Sequence, residues 1–311
     1  MSGIMEKVVL KNNVAEHRAF NLAAYAKLIR PRQWVKNMFV FLPLTFAKEL
    51  FDLAAVLDAF RAFVAFSFVA SAVYIVNDIT DVAADRAHPQ KRFRPIAAGS
   101  VSIVEGYILV GVLLALAALV VVGMDVRFVL ILCSYFLMNL AYSFKLKNIV
   151  LLDVFVIAAG FMMRVIGGAY ALPVEVSTWL VLCTLFISLF LGFAKRRSEL
   201  VLAKDAAFAE RKVLELYRVS FLDQMLTIAA AGTVISYALY TVAPRTLQAF
   251  GTEKLIYTTV FVIYGIFRYL YLIHTTNSTD NPTTAVTSDW PILATAALWV
   301  LACISLIYFH G

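Results

Sequence analysis

The stretch Asn77–Ser102 reads NDITDVAADRAHPQKRFRPIAAGSVS and lies between two strongly apolar runs. Within it Asn77, Asp78, Asp81 and Asp85 follow the spacing N-D-x-x-D-x-x-x-D. If the helix of the preceding apolar run continues through them, the carboxylates at i, i+3 and i+7 share one face. Three carboxylates on one face repel each other unless a cation sits among them. Hard oxygen ligands of this kind suit Mg²⁺, which is commonly held by one or two carboxylates together with substrate phosphates. Lys91, Arg92 and Arg94 follow, a cationic group suited to phosphate oxygens. An acidic face followed by a basic loop predicts a Mg²⁺–diphosphate site with Asp78, Asp81 and Asp85 as metal ligands. A merely solvated loop obeying the positive-inside rule would account for Lys91, Arg92 and Arg94, but it gives the acids no reason to line up.

The composition sets the environment of this stretch. Of 311 residues 62% are hydrophobic and 15% charged, and the mean hydropathy is +0.84. A water-soluble domain is nearer half apolar and a quarter charged, so this is a polytopic membrane protein of the all-α class. Nine apolar runs approach the length a bilayer requires: 37–50, 57–77, 103–122, 127–144, 149–171, 178–194, 224–243, 255–273 and 290–309. The first is short and broken by Pro43, and an earlier start near Leu22 would lengthen it. Residues 1–20 carry charges throughout and no apolar signal-peptide core, so insertion is expected to rely on the first span. A cytoplasmic segment 1–21 followed by one membrane domain, 22–311, is the expected organisation. Cys133, Cys183 and Cys303 all fall in apolar runs and read as buried small hydrophobes.

With the N-terminus inside, twenty of the 27 Lys and Arg fall on the inner segments and four on the outer ones. That asymmetry places the N-terminus in the cytoplasm, and the net charge of +7 is no nucleic-acid signal. The acidic stretch, Lys145 and Lys147, and the loop 195–223 then face the same side. Several polar segments would meet over one opening to the cytoplasm.

Two more groups stand out. YSFKLKN spans Tyr142–Asn148, with Asp153 one turn into the next run; an acid inside a span needs a partner, and one of the lysines or the metal would serve. GFAKRRSEL spans Gly192–Leu200. The acids after it, Glu199, Asp205, Glu210, Glu215 and Asp223, include no pair three or four apart. Lys195, Arg196 and Arg197 therefore read as anion-binding, with no second acidic motif. Arg164 lies about fifteen residues into its span, over ~20 Å deep, and an intramembrane arginine is a functional candidate by default. Arg61, near the outer end of its span, is expected to snorkel. His88 reads as solvated, and the sequon at Asn277 is discounted on the cytoplasmic side.

These residues resemble the UbiA superfamily of intramembrane prenyltransferases, and more narrowly its polyprenyl-phosphate phosphoribosyltransferase branch. The resemblance rests on RPRQWVKN at Arg30–Asn37, NDITDVAADRAHPQKRFRPIAAG at Asn77–Gly99, YSFKLKN, GFMMRVIGG at Gly160–Gly168 and FAKRRSEL at Phe193–Leu200. It implies a nine-helix UbiA-type bundle in the bacterial inner membrane and Mg²⁺-dependent transfer of 5-phosphoribosyl from phosphoribosyl pyrophosphate to a polyprenyl phosphate. Asp78, Asp81, Asp85, Lys91 and Arg94 would be catalytic. Lys36, Asn37, Asn77, Arg92, Tyr142, Lys145, Lys147, Asp153, Arg164, Lys195, Arg196 and Arg197 would bind substrate. A homo-oligomer is compatible with the resemblance. In the wider superfamily a second aspartate motif follows the sixth helix, whereas this chain has KRRSE there. That departure argues against a UbiA-type enzyme joining a prenyl diphosphate to an aromatic acceptor. A transporter or flippase, the rival from another class, would place ionisable residues and broken helices near the bilayer midplane, whereas here the polar residues cluster at one face, with Arg164 the main exception.

Overall fold

The computed structural model describes residues 21–172, 174–175, 177–205, 212–275 and 288–309. The N-terminal segment with its first cations, Glu210, the Asn277 sequon and the last two residues lie outside these. The chain begins with α1 (Leu22–Ile29), a 3-10 run Pro31–Phe41 and α2 (Leu42–Phe46). Then come α3 (Leu53–Thr80), α4 (Val82–Ala87), α5 (Ile103–Val120), α6 (Val126–Phe144), α7 (Leu152–Ala171) and α8 (Thr178–Asp205). The rest is α9 (Val219–Val242), α10 (Pro244–Phe250), α11 (Thr259–Thr275) and α12 (Trp290–Phe309). No strand occurs among the described residues. Eight of these helices are long and apolar enough to cross a membrane.

The first apolar run is the exception, and it is organised by α3. It starts at Leu22, as its length required, but Arg30 breaks it with a left-handed backbone, φ +56°, just before Pro31. Proline cannot donate a backbone hydrogen bond, which favours an interruption at this point. Beyond the break the run lies antiparallel to α3. Arg30 meets Asp78 at 2.5 Å, Trp34 Nε1 donates to Ser71 Oγ at 3.0 Å, and Asn37 Nδ2 donates to Ser67 Oγ at 2.9 Å. Phe41 then stacks near Phe63. Ser71 Oγ also lies 2.8 Å from the Ile29 carbonyl that the break releases. Small residues on α3, among them Ala59, Ala62, Ala65 and Ala70, are buried and allow this close approach.

Three of the long helices, α3, α5 and α6, start where short polar side chains cap them. Asp52 accepts from the Ala55 amide, and Ser102 and Glu105 form a capping box. The helices alternate in direction, so one end of the bundle gathers Asp78, Lys147, Arg196 and His274, and the other gathers Lys48, Asp125 and Arg245. One core forms between α7, α8, α9 and α11 around Val154, Phe190, Phe193 and Leu226. A second surrounds Phe66 of α3 with Phe128, Leu132 and Tyr135 of α6.

The tightest helix contact is glycine-dependent. A Cβ on Gly168 of α7 would stand 2.2 Å from the carbonyl oxygen of Val40 in the 3-10 run. Gly111 of α5 has nothing within 4 Å of its would-be Cβ. Gly168→Ala is therefore expected to destabilise by about 1–3 kcal/mol or more, and Gly111→Ala to be neutral or stabilising by about 0.5–1 kcal/mol. Thermal unfolding of both variants in one detergent checks the contrast.

Candidate active site at the acid-rich end

Three elements carry the acidic motif. α3 ends at Thr80, Asp81 occupies the junction, and α4 carries Asp85. The break matters, because the three carboxylates do not share one face as the spacing predicted. Asp78 and Asp85 turn inward and are 1% and 3% exposed. One guanidinium joins them: Arg94 Nη1 is 3.1 Å from Asp78 Oδ1 and 2.7 Å from Asp85 Oδ2. Asp81 diverges and receives Lys147 Nζ at 2.7 and 3.0 Å. Among the described residues no three His, Cys, Asp or Glu side chains converge as a metal-binding group.

One atom is left over. Asp78 Oδ2 is buried and has no hydrogen-bond donor, an expensive state for a carboxylate oxygen. Together with Asp85 it supplies the one or two carboxylates that Mg²⁺ takes when phosphates complete its shell. The donor set therefore fits such an ion, with two inward acids rather than three in a row.

Cations surround this pair. Arg30, which sequence reading did not single out, reaches Asp78 over the Tyr74 ring. Its signal was the Arg-Pro dipeptide that ends α1 at the level of the acids. Arg92 is exposed and lies over Phe93, and Lys91 is half-buried in the same 3-10 turn. His88 shapes that turn, since its Nδ1 accepts from the Gln90 and Lys91 amides at 3.1 Å each. Lys145 is exposed and has no partner among the described residues. Asn77 is half-buried beside Asp78, and its carbonyl accepts from the Asp81 amide.

Arg164 belongs to a separate, deeper group. Its guanidinium donates to Asn37 Oδ1 at 2.6 Å, the Gly160 carbonyl at 2.8 Å and Tyr135 Oη at 2.7 Å. It also faces the Tyr135 and Phe161 rings. No carboxylate among the described residues neutralises it. Asn37 is paired with Ser67, eleven residues before Asp78 on α3, so the group lies about 16 Å deeper than Asp78. Lys36 is half-buried without a hydrogen bond or ion pair among the described residues, and feels the charges of both Arg164 and Arg30. Arg61, as its position implied, sits at the other end, bonded to Asp58 and to the Val120 and Val122 carbonyls.

The structure corrects the reading of Asp153 and of KRRSEL. Asp153 is fully buried, and its partner is Arg196 at 2.5 Å rather than a lysine or a metal. Arg196 is itself 0% exposed and also bonds Glu199 and Tyr142 Oη. Arg197 pairs with Asp223 at 2.6 Å and reaches the Ile273 carbonyl and His274, and Lys195 stands 3.8 Å from Glu199. This segment is tied to acids, not kept open for anions. Tyr217, absent from the sequence reading because a single tyrosine in a polar loop carries no signal, completes the cluster by donating to Asp153 Oδ1 at 2.7 Å.

A cavity of about 250 Å³ opens at the opposite end, lined by Lys48, Glu175 and Arg245 among others. It lies away from the acids of α3 and α4. The fold and the site thus define a polytopic helical membrane protein whose carboxylate–cation chemistry is concentrated at one end. Residues 38–290 match the UbiA prenyltransferase family, and the chain belongs to that family. The decaprenyl-phosphate phosphoribosyltransferase of Corynebacterium glutamicum is 35% identical over 306 residues, covering 96% of this chain and 91% of that one. The protein of the same description from Mycolicibacterium smegmatis is 41% identical over 221 residues, 69% of each chain. A UbiA homolog from Archaeoglobus fulgidus, solved bound to GPP and Mg²⁺, superposes with a TM-score of 0.70 at 19% identity, covering 91% of this chain and 99% of that one.

Proposed function

We propose that this protein transfers a 5-phosphoribosyl group from phosphoribosyl pyrophosphate to a polyprenyl phosphate, releasing diphosphate. The observation that carries the reading is the pair of inward acids, Asp78 and Asp85, held by Arg30 and Arg94, with Lys147 on the neighbouring Asp81. It is an arrangement for a multiply charged leaving group beside a divalent cation. The activity named for the relatives that are 35–41% identical supports the choice of donor and acceptor.

Asp78, through its unpaired Oδ2, and Asp85 would hold Mg²⁺, with Asp81 as the third candidate. The ion supplies charge neutralisation at the diphosphate. Arg94, Arg30 and Lys147, with Lys91 and Arg92 in the adjoining turn, stabilise the negative charge that develops as the bond from ribose C1 to the pyrophosphate oxygen breaks and that oxygen keeps the electron pair. An oxygen of the lipid phosphate forms the new bond to C1, and a single displacement inverts that carbon. A phosphate monoester loses its second proton near pH 6, roughly, so the acceptor is nucleophilic without a strong general base. Lys36 and Arg164 provide positive charge below the acids for a phosphate of the acceptor or the donor, with Asn37 orienting Arg164 through its Oδ1. The segment 22–311 acts as one domain, and the cation asymmetry of the loops puts the acid-rich end, with the N-terminus, on the cytoplasmic side.

The test is a donor swap on purified protein with Mg²⁺. Labelled phosphoribosyl pyrophosphate plus decaprenyl phosphate is expected to give a mild-acid-labile lipid. Labelled prenyl diphosphate plus 4-hydroxybenzoate is expected to give nothing. Turnover in the second mixture alone would overturn the reading.

A further inference from the structure

We infer that Tyr217, Asp153 and Arg196 form a buried clamp that fixes the loop between α6 and α7 so that Lys147 meets Asp81, which makes Tyr217 a positioning residue for the diphosphate end of the donor. The substrate named here rests on the function proposed above; the clamp itself rests on geometry alone.

The loop that carries Lys147 is short. It leaves α6 just after Tyr142, makes a 3-10 turn over Leu146–Asn148 and enters α7 at Leu152. Its last residue, Leu151, has φ +68° and ψ −44°, a positive-φ backbone that a branched apolar residue adopts only when its surroundings enforce it. The enforcing contact is visible. Tyr217 Oη accepts from the Leu151 amide at 2.8 Å and donates to Asp153 Oδ1 at 2.7 Å, so one hydroxyl bridges the last loop residue and the first turn of α7. Arg196 holds the other carboxylate oxygen at 2.5 Å and reaches Tyr142 Oη at 3.1 Å, on the far side of the loop. Both ends of the loop are thus anchored to α8 and to Tyr217. Burial, and then the hydrogen bond to Asp153, push the Tyr217 phenol well above its ordinary range, so it remains a donor.

Arg196 is itself fully buried, and within the clamp its charge acts through Asp153. A buried ion pair is a weak source of stability but can specify one arrangement. The arrangement specified here places an ammonium 2.7 Å from Asp81, at the junction of α3 and α4, 66 residues away.

Hydrogen exchange of Tyr217→Phe in detergent tests the clamp. Amides of 145–153 are expected to exchange about tenfold faster while those of α3 and α9 stay as protected as before. Unchanged protection in that loop, or faster exchange throughout the bundle, would overturn the inference. A double-mutant cycle tests the link to the donor. Tyr217→Phe and Lys147→Ala are each expected to raise the KM for phosphoribosyl pyrophosphate, roughly three- to tenfold, with the KM for the lipid within about twofold. The double variant is expected to match Lys147→Ala alone, and full additivity would overturn the role of Tyr217. A Lys147→Ala variant with an unaltered donor KM would instead remove Lys147 from the proposed site, while hydrogen exchange still decides the clamp.

Discussion

Asp78→Asn is expected to lower turnover by about a hundredfold or more, equivalent to roughly 3 kcal/mol of transition-state stabilisation. The amide keeps an oxygen for Arg30 and Arg94 but loses the charge and replaces Oδ2, a buried carboxylate oxygen that has no donor. Two outcomes should appear together: the Mg²⁺ concentration giving half-maximal rate rises, and thermal stability changes little. Asp52→Asn serves as the control. Asp52 caps α3 at the opposite end, and asparagine is an equally good cap, so activity should be unaltered. Full Mg²⁺-dependent turnover by the Asp78 variant would exclude Asp78 from the metal site.

Arg196→Ala is expected to cost about 3–5 kcal/mol of stability, the usual loss when one member of a buried pair is removed and the other charge is stranded. Here the stranded group is Asp153, fully buried at the start of α7, with Glu199 beside it. Loss of monodisperse protein after detergent extraction, or a fall in Tm of several degrees, is the readout. Lys195→Ala provides the contrast. Its pairing with Glu199 is 3.8 Å long and part-exposed, a geometry that contributes little. If the two variants proved equally stable, the buried cluster would not be holding α6, α7 and α8 together.

These two outcomes differ in how far the sequence foretells them. The acidic motif was readable because its residues are neighbours, and i, i+3, i+7 spacing is a local property of a helix. Even so the spacing misled on one point, since the turn at Asp81 sends that carboxylate to Lys147 rather than inward. The helical bundle was readable because hydropathy over some twenty residues reports lipid or core burial directly. The fate of the cations was not. Arg196 and Asp153 are 43 residues apart, and Arg164 and Asn37 are 127 apart. A basic tripeptide at a helix end looks the same whether it faces water, lipid phosphate or a buried acid. Only packing decides between them, and here it gave Arg196 to Asp153 and left Arg94 and Arg30 for the site. Tyr217 had no chance of being found, because its value lies in bridging two backbone and side-chain groups of another segment.

The broken first run also bears on the parity of the bundle. A 3-10 helix rises about 2.0 Å per residue against about 1.5 Å for an α-helix. Pro31–Phe41 and Leu42–Phe46 therefore advance about 30 Å in sixteen residues, the thickness of a hydrocarbon core. The stretched winding is long enough for a ninth traverse with four residues fewer than a regular helix needs. Arithmetic parity follows. Eight traverses would return the polypeptide to the side where it began, whereas nine part its extremities. α1 packs beside Ile79 and Ile96 at the acid-rich end, and Tyr308 meets Leu50 at the other. A tag fused at residue 1 and one fused after residue 311 should consequently report opposite compartments.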